Sequence, residues 1–180
     1  MHVGEPGNVD IPYTVTRRRN IAKIIDQLPD GAPEKEYFAS DPVLHEAFPN
    51  GKFNCWGVPE RAEPSFDRTG IGDLVLFLPT LSDGIRQIGV VKAKCPLQCP
   101  NASRILWPGT PDDRLFPYVF FFETEVGHRG WYDFLDDVGY DPNWDPRGWY
   151  RSIASHRFNR WGGPDKYLDF LREKGDFSPL

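Results

Sequence analysis

The 180-residue chain lacks several features that would place it in common classes of protein. It contains no run of about 18 apolar residues, which argues against a membrane-spanning helix. The first residues, from Met1 to Pro6, show no apolar signal core. Only three cysteines are present, an odd number that argues against a secreted disulfide scaffold. These absences predict a cytoplasmic protein without a membrane partner.

Signatures of catalysis and of metal binding are also missing. The sequence has no Gly-x-Ser-x-Gly elbow, no Cys/His pair in a recognisable setting and no glycine loop long enough to hold a nucleotide. Cys95 and Cys99 have a metal-like spacing, with Cys55 as a possible third thiolate, but a structural zinc needs four ligands. Reduced thiols are the favoured interpretation. We therefore expect no metal, no cofactor and no enzymatic activity.

Aromatic residues and unevenly placed charges are what the chain does have. Aromatics make up 14% of the residues, with six tryptophans, and the formal net charge is −5. Residues 84–107 nevertheless contain four cations and no acid, and residues 147–174 contain seven cations against three acids. Two such segments could turn a basic face toward an anionic polymer. The alternative is ordinary solvated lysine and arginine, since surface charge is commonly mixed.

The hydrophobic pattern predicts helices at both ends of the chain and strands in the middle. Helices are expected over residues 21–28, 42–48, 131–138, 145–158 and 164–174, and strands over 74–79, 85–94, 104–107 and 118–123. This order favours the α+β class, with a small curled mixed sheet or barrel flanked by helices. We expect a single domain over residues 1–180, in which 1–12 form a loose N-terminal arm and 13–50 a helical elaboration.

Two tryptophans stand out as candidates for base stacking. Trp56 precedes the first predicted strand, and Trp107 ends another and is followed by Pro108 and Gly109. Stacking of a base on an aromatic ring contributes about 1–3 kcal/mol, so two indoles from separate loops could sandwich one unstacked base. The alternative is that both rings belong to the core, because tryptophan is usually mostly buried.

Several segments occur in an order that resembles the PUA-like superfamily, and within it the YTH and EVE domains, over residues 52–124. They are Asn54-Cys55-Trp56-Gly57-Val58-Pro59, the strand at 74–79, the turn Ser82-Asp83-Gly84, Ile88-Gly89-Val90-Val91, Ile105-Leu106-Trp107-Pro108 and residues 117–123. The chain departs from the YTH pattern after the first tryptophan. YTH domains have a base-contacting Asn there, whereas this chain has Glu60 and Arg61.

The resemblance implies a non-catalytic reader that captures a modified base, expected to be methylated, flipped out of a duplex or single-stranded, in an aromatic cage. It further implies DNA rather than RNA as the partner, and a fused or associated nuclease or NTPase of a modification-dependent restriction system. The expected base-binding residues are Trp56, Trp107, Asn54, Cys55, Gly57 and Leu106. The expected phosphate-binding residues are Lys52, Lys92, Lys94, Arg104, Arg157 and Arg160.

Two alternatives remain open from the sequence. The first is an RNA- or nucleotide-modifying enzyme with a PUA-like fold, which would need a titratable group such as His128 or His156 in the aromatic pocket. The second is a protein-interaction domain with exposed tryptophans as anchors.

Overall fold

The structure is a computed structural model that describes residues 10–146 and 153–180. The helices are α1 (Ile11–Thr14), α2 (Ile21–Gln27), α3 (Pro33–Ser40), α4 (Pro42–Ala47), α5 (Glu63–Arg68), α6 (Pro100–Leu106), α7 (Trp131–Val138) and α8 (Pro164–Glu173). The strands are β1 (Arg19–Asn20), β2 (Lys52–Val58), β3 (Leu74–Phe77), β4 (Ile85–Lys94), β5 (Tyr118–Arg129) and β6 (Phe177–Pro179). Short 3-10 helices occupy Glu60–Ala62, Asp112–Arg114 and Ser155–Trp161.

The strands form one sheet in the order β1-β2-β5-β4-β3, and β6 pairs with the distal part of β5. Every pairing within the described residues is antiparallel, and the end strands β1 and β3 do not pair with each other there. Two register shifts between β4 and β5 increase the local twist, which curls the sheet. The predicted α+β class with a curled sheet is confirmed, whereas the expected mixed pairing is replaced by an antiparallel one.

Strand β5 explains why the chain has a continuous apolar run from Val119 to Phe122. Successive side chains point to opposite faces of a strand, so a run without alternation requires both faces to be covered. Phe121 packs in one core cluster with α2, α3, α4 and α6, while Phe120 and Phe122 pack in a second cluster with Trp56 and Phe77. A third cluster lies between the sheet and helices α7 and α8.

Helix boundaries follow the local signals in the sequence. The Asn20 side chain accepts a hydrogen bond from the Lys23 amide at 3.1 Å and caps α2. Asp41 caps α4 through the Leu44 amide at 2.8 Å, with Pro42 in the first turn. Gly139 adopts φ 64° and ends α7 in the left-handed conformation. The helices predicted over residues 21–28, 42–48 and 131–138 are therefore present.

Two predicted elements differ in the structure. Residues 104–107, predicted as a strand, form the C-terminal end of α6 and its C-cap Trp107, because Pro100 starts a helix that a run of three apolar residues could not reveal. The helix predicted over residues 145–158 includes 147–152, which lie outside the described residues, and its last residues belong to the 3-10 helix Ser155–Trp161.

Part of the predicted N-terminal arm, residues 1–12, is helical. Residues 11 and 12 belong to α1, where Ile11 is buried in a core cluster, and residues 1–9 are outside the described part of the chain. Over residues 10–146 and 153–180, no helix combines the length and the apolar composition that crossing a membrane requires.

Candidate nucleic-acid interface

Trp56 lies on β2 and faces one side of the sheet. Its ring contacts Phe77 edge-on, with centroids 5.4 Å apart, and the residue is only 7% exposed. The same core cluster contains Phe120 and Phe122 from β5. Trp56 is therefore a core residue of this face.

Trp107 lies on the opposite side of β2, directly after α6. A Cβ atom on Gly57 would stand 2.6 Å from its Cη2 atom, so the indole packs flat on the glycine. Because neighbouring residues of a strand face opposite ways, Trp56 and Trp107 lie on different faces of β2. Trp107 is 1% exposed and packs against Phe116, with centroids 5.3 Å apart. The predicted sandwich of one base between the two indoles is therefore wrong for this arrangement.

The remaining predicted base-binding residues are also inside the protein. Cys55 and Leu106 are fully buried in the cluster that contains Trp107. The Asn54 amide donates to the carbonyls of Thr14 at 3.2 Å and Val15 at 2.9 Å, and its oxygen accepts from the Thr124 amide at 3.2 Å. Asn54 thus fixes the end of α1 to the sheet and has no group directed at solvent.

The segments that follow the two tryptophans nevertheless converge. Residues 59–61, after β2, and residues 108–117, after α6, line one cleft of about 1170 Å³ together with Asp10, Tyr13, Gln98 and Pro100. We call this the loop cleft. The Phe116 amide donates to Ser103 Oγ at 2.9 Å, which attaches the loop to α6. The two segments that the resemblance singled out are therefore followed by loops that meet at one cleft, whereas the six residues predicted to bind the base do not line it.

The loop cleft carries charges of both signs and two aromatic rings. Its lining includes the carboxylates of Asp10, Glu60, Asp112 and Asp113 and the guanidinium groups of Arg61 and Arg114. Asp10 is half-buried and forms no side-chain bond to the start of α1, and desolvation raises the pKa of its carboxyl to about 6. Tyr13 and Phe116 are the lining residues with flat aromatic rings. Such a cleft can present both acceptors and donors to a ligand edge.

Five of the six predicted phosphate-binding cations have internal partners. Lys92 pairs with Glu123, Arg104 pairs with Asp112 at 2.9 Å, and Arg160 lies 3.7 Å from Asp137. The other two donate to backbone carbonyls: Lys94 to Phe66 at 2.7 Å, and Arg157 to Val138 at 3.2 Å. A phosphate contact by any of these five residues stays a prediction. The sixth cation, Lys52, is exposed and lines a cleft that contains none of the other five.

Lys52 lines a second cleft, of about 600 Å³, that sequence analysis missed. Its other lining residues are Arg17, Arg18, Arg19, Asn20, Lys23, Ile24 and Gln27. We call it the arginine cleft. The pairing of β1 with β2 places Asn20 opposite Lys52, which brings the arginine run beside a lysine more than 30 residues away in sequence. The run Arg17-Arg18-Arg19 was the visible signal, although it lies outside the two segments that the charge count singled out.

Among the residues that the structure describes, no carboxylate lines the arginine cleft. Two of its arginines are fixed by hydrogen bonds to main-chain oxygens. Arg19 donates to the Ile105 carbonyl at 2.9 Å and Arg18 to the Leu180 carbonyl at 2.9 Å. Burial lowers the pKa of the Arg19 guanidinium from its ordinary value, and the neighbouring charge of Arg17 acts in the same direction. Arg17, Lys23 and Lys52 form no ion pair with any described residue.

The cysteines lie together in the core. Cys95 Sγ and Cys99 Sγ are 2.7 Å apart, and Cys55 belongs to the same buried cluster. Burial raises the pKa of the Cys55 thiol well above its usual range. Within the described ranges, no three His, Cys, Asp or Glu side chains are grouped as a metal site.

The two alternative functions find no support in the clefts. His128 and His156 are exposed and line neither cleft. Of the five tryptophans that the structure describes, three are buried and two are half-buried, so none of these five is an exposed anchor.

Comparison with known proteins gives one structural likeness. No protein-family model matches the chain, and no curated protein is significantly similar in sequence. The fold resembles that of the N-terminal domain of McrB from Thermococcus gammatolerans, a structure solved bound to m5C DNA. The two share 14% sequence identity with a TM-score of 0.60, over 96% of each chain. The chain therefore has the fold of this McrB domain.

Proposed function

We propose that this protein is a non-catalytic DNA-binding domain that recognises a modified base. One observation carries the proposal: the fold extends over 96% of a domain that was solved on m5C DNA. The loop cleft supports it, because its lining continues from the two segments in which the sequence resemblance locates the base-binding parts. The resemblance also favours an associated nuclease or NTPase that uses this specificity.

The loop cleft is the proposed position of the base. A carboxylate accepts a hydrogen bond from the exocyclic amine of cytosine, and Asp10 and Glu60 offer carboxylates here. Tyr13 and Phe116 supply flat apolar surface beside the ring, and burial of one methyl carbon contributes about 0.8 kcal/mol. In a duplex, the base reaches such a cleft only after leaving the stack, at a cost of a few kcal/mol.

The two tryptophans take supporting roles in this proposal. The Trp107 ring packs against Phe116, and the absence of a side chain at Gly57 leaves room for the indole. Asn54 fixes α1 and thereby the Tyr13 ring. The aromatic contact to the base is therefore assigned to Tyr13 and Phe116, with Trp107 packed against Phe116.

Binding of short labelled duplexes tests the proposal. Fluorescence anisotropy is measured with duplexes that contain one central m5C, one methylated adenine or no modification, and with the matching single strands. Burial of one methyl group predicts a preference of about fourfold or more for a modified duplex. Phe116→Ala is expected to reduce this preference, whereas Tyr132→Ala, at an exposed position outside the cleft, retains it. Equal affinity of the wild type for all duplexes contradicts the proposal.

A further inference from the structure

The arginine cleft concentrates positive charge in a protein whose net charge is −5. Five cations line it, namely Arg17, Arg18, Arg19, Lys23 and Lys52, and no acid lines it among residues 10–146 and 153–180. Like charges brought together raise the electrostatic energy of the free protein, and a polyanion removes that repulsion when it binds. The pairing of β1 with β2 maintains the arrangement, so the repulsion belongs to the fold.

The cleft separates fixed donors from available ones. Arg18 and Arg19 each donate one guanidinium hydrogen bond to a main-chain oxygen. Because an arginine has five N–H donors, each retains donors for a ligand. Arg17, Lys23 and Lys52 form no ion pair within residues 10–146 and 153–180. A ligand with several anionic oxygens in a row can engage all five, whereas a single carboxylate satisfies one or two.

Chain geometry places this cleft close to the loop cleft. Tyr13 lines the loop cleft and Arg17 lines the arginine cleft. Arg17 lies four positions after Tyr13, so their Cα atoms are at most about 14 Å apart. DNA advances 3.4 Å per base-pair step along one strand, so about 14 Å corresponds to about four steps. Arg19 also contacts Ile105, three residues before Pro108 of the loop cleft.

We infer that the arginine cleft binds the phosphodiester backbone of DNA within about four steps of the base in the loop cleft. The location beside the read base depends on the proposed function, whereas phosphate binding by the cleft is tested separately. Phosphate contacts neutralise charge and position the ligand without reading its sequence. The cleft thus supplies affinity, and the loop cleft supplies the preference.

The salt dependence of binding tests the inference. Affinity for the m5C duplex is measured at several salt concentrations for the wild type and for Arg17→Gln/Lys23→Gln/Lys52→Gln. Each lost phosphate contact reduces the slope of log K against log salt by about 0.9, so three contacts reduce it by about 2.7. The ratio of affinities for modified and unmodified DNA is expected to remain that of the wild type.

A control triple variant removes the same charge elsewhere. Lys35→Gln/Arg86→Gln/Lys166→Gln also lowers the net charge by three, and none of these residues lines either cleft. Its slope is expected to remain close to the wild-type slope. Equal loss of slope in both triples overturns the inference, because it would show a general effect of net charge. Circular dichroism and the urea midpoint verify that both triples are folded.

The outcomes distinguish this inference from the proposed function. A wild-type slope in the cleft triple, with the preference for modified DNA intact, overturns the arginine cleft and leaves the proposed function standing. A wild type without preference, combined with a reduced slope in the cleft triple alone, overturns the proposed function and supports phosphate binding by the cleft.

Discussion

The loop cleft and the arginine cleft differ in the sign of their charged side chains and in the part of the fold on which they lie. The loop cleft mixes four acidic with two basic side chains above a packed aromatic floor. Every described charged side chain that lines the arginine cleft is a cation, and the cleft lies on an exposed edge formed by β1, α2 and the start of β2. Mixed donors and acceptors can discriminate one ligand edge from another, whereas a uniform charge attracts any polyanion. Specificity and affinity are thus assigned to separate surfaces.

The largest expected effect is the loss of stability when the aromatic packing beneath the loop cleft is removed. Trp107→Ala removes the buried ring beneath Phe116, which is expected to lower the free energy of unfolding by about 3–5 kcal/mol. Urea denaturation measures this loss. Tyr132→Ala, at a residue that is 72% exposed, is the control and should change it by less than about 0.5 kcal/mol. Similar losses in both variants would contradict a packed floor.

A smaller effect is expected where β2 touches that floor. A Cβ on Gly57 would lie 2.4 Å from Phe116 Cβ and 2.6 Å from Trp107 Cη2, so Gly57→Ala must displace the loop. Such overpacking costs about 1–3 kcal/mol. The preference for a modified base is expected to fall, while the salt slope stays that of the wild type. At Gly70, the nearest atom to an added Cβ is Asp73 Oδ2 at 3.8 Å, so Gly70→Ala is the matched control.

Asp10 gives the loop cleft a pH dependence that the arginine cleft lacks. Its folded-state pKa of about 6 lies above its ordinary value of 3.8, because burial disfavours the charged form. Between these values the folded state binds more protons than the unfolded one, so the free energy of unfolding falls as pH rises. Asp10→Asn removes this dependence. As the pH rises from about 4 to 7, the urea midpoint of the variant should therefore rise relative to that of the wild type. A difference between the two midpoints that stays constant with pH would contradict this role of Asp10.

The smallest effect is expected for a cation outside both clefts. Lys92 and Glu123 form a partly exposed ion pair on neighbouring strands, and such pairs contribute about 0–1 kcal/mol. Lys92→Gln is expected to leave the salt slope of DNA binding unchanged. A slope reduced by about 0.9 would instead assign Lys92 to the interface, as the sequence pattern suggested.

The sequence indicated the sheet better than the site. The apolar runs of β3 and β5 and the alternation in β4 predicted three strands correctly, because burial of one or both faces leaves a local pattern. The run 104–107 was mistaken for a strand, because its three apolar residues carry too little periodicity to exclude the end of a helix.

Long-range packing explains why the sandwich prediction was wrong. Whether an indole is accessible depends on what faces it, and the partner of Trp107 is Gly57, fifty residues earlier in the chain. The arginine cleft depends in the same way on the β1–β2 pairing that brings Lys52 to the arginine run. Neither contact leaves a local signal, although the three adjacent arginines were visible in the sequence.

One consequence follows from the way the end of α1 is attached to the sheet. The Val15 carbonyl accepts hydrogen bonds from both Asn54 and the Thr124 hydroxyl, and Val15 lies between Tyr13 of one cleft and Arg17 of the other. The separation of the two clefts is thus set by two buried polar side chains. In the proposed function, this fixed spacing sets how far along the DNA strand the phosphates bound by one cleft lie from the base that is read in the other.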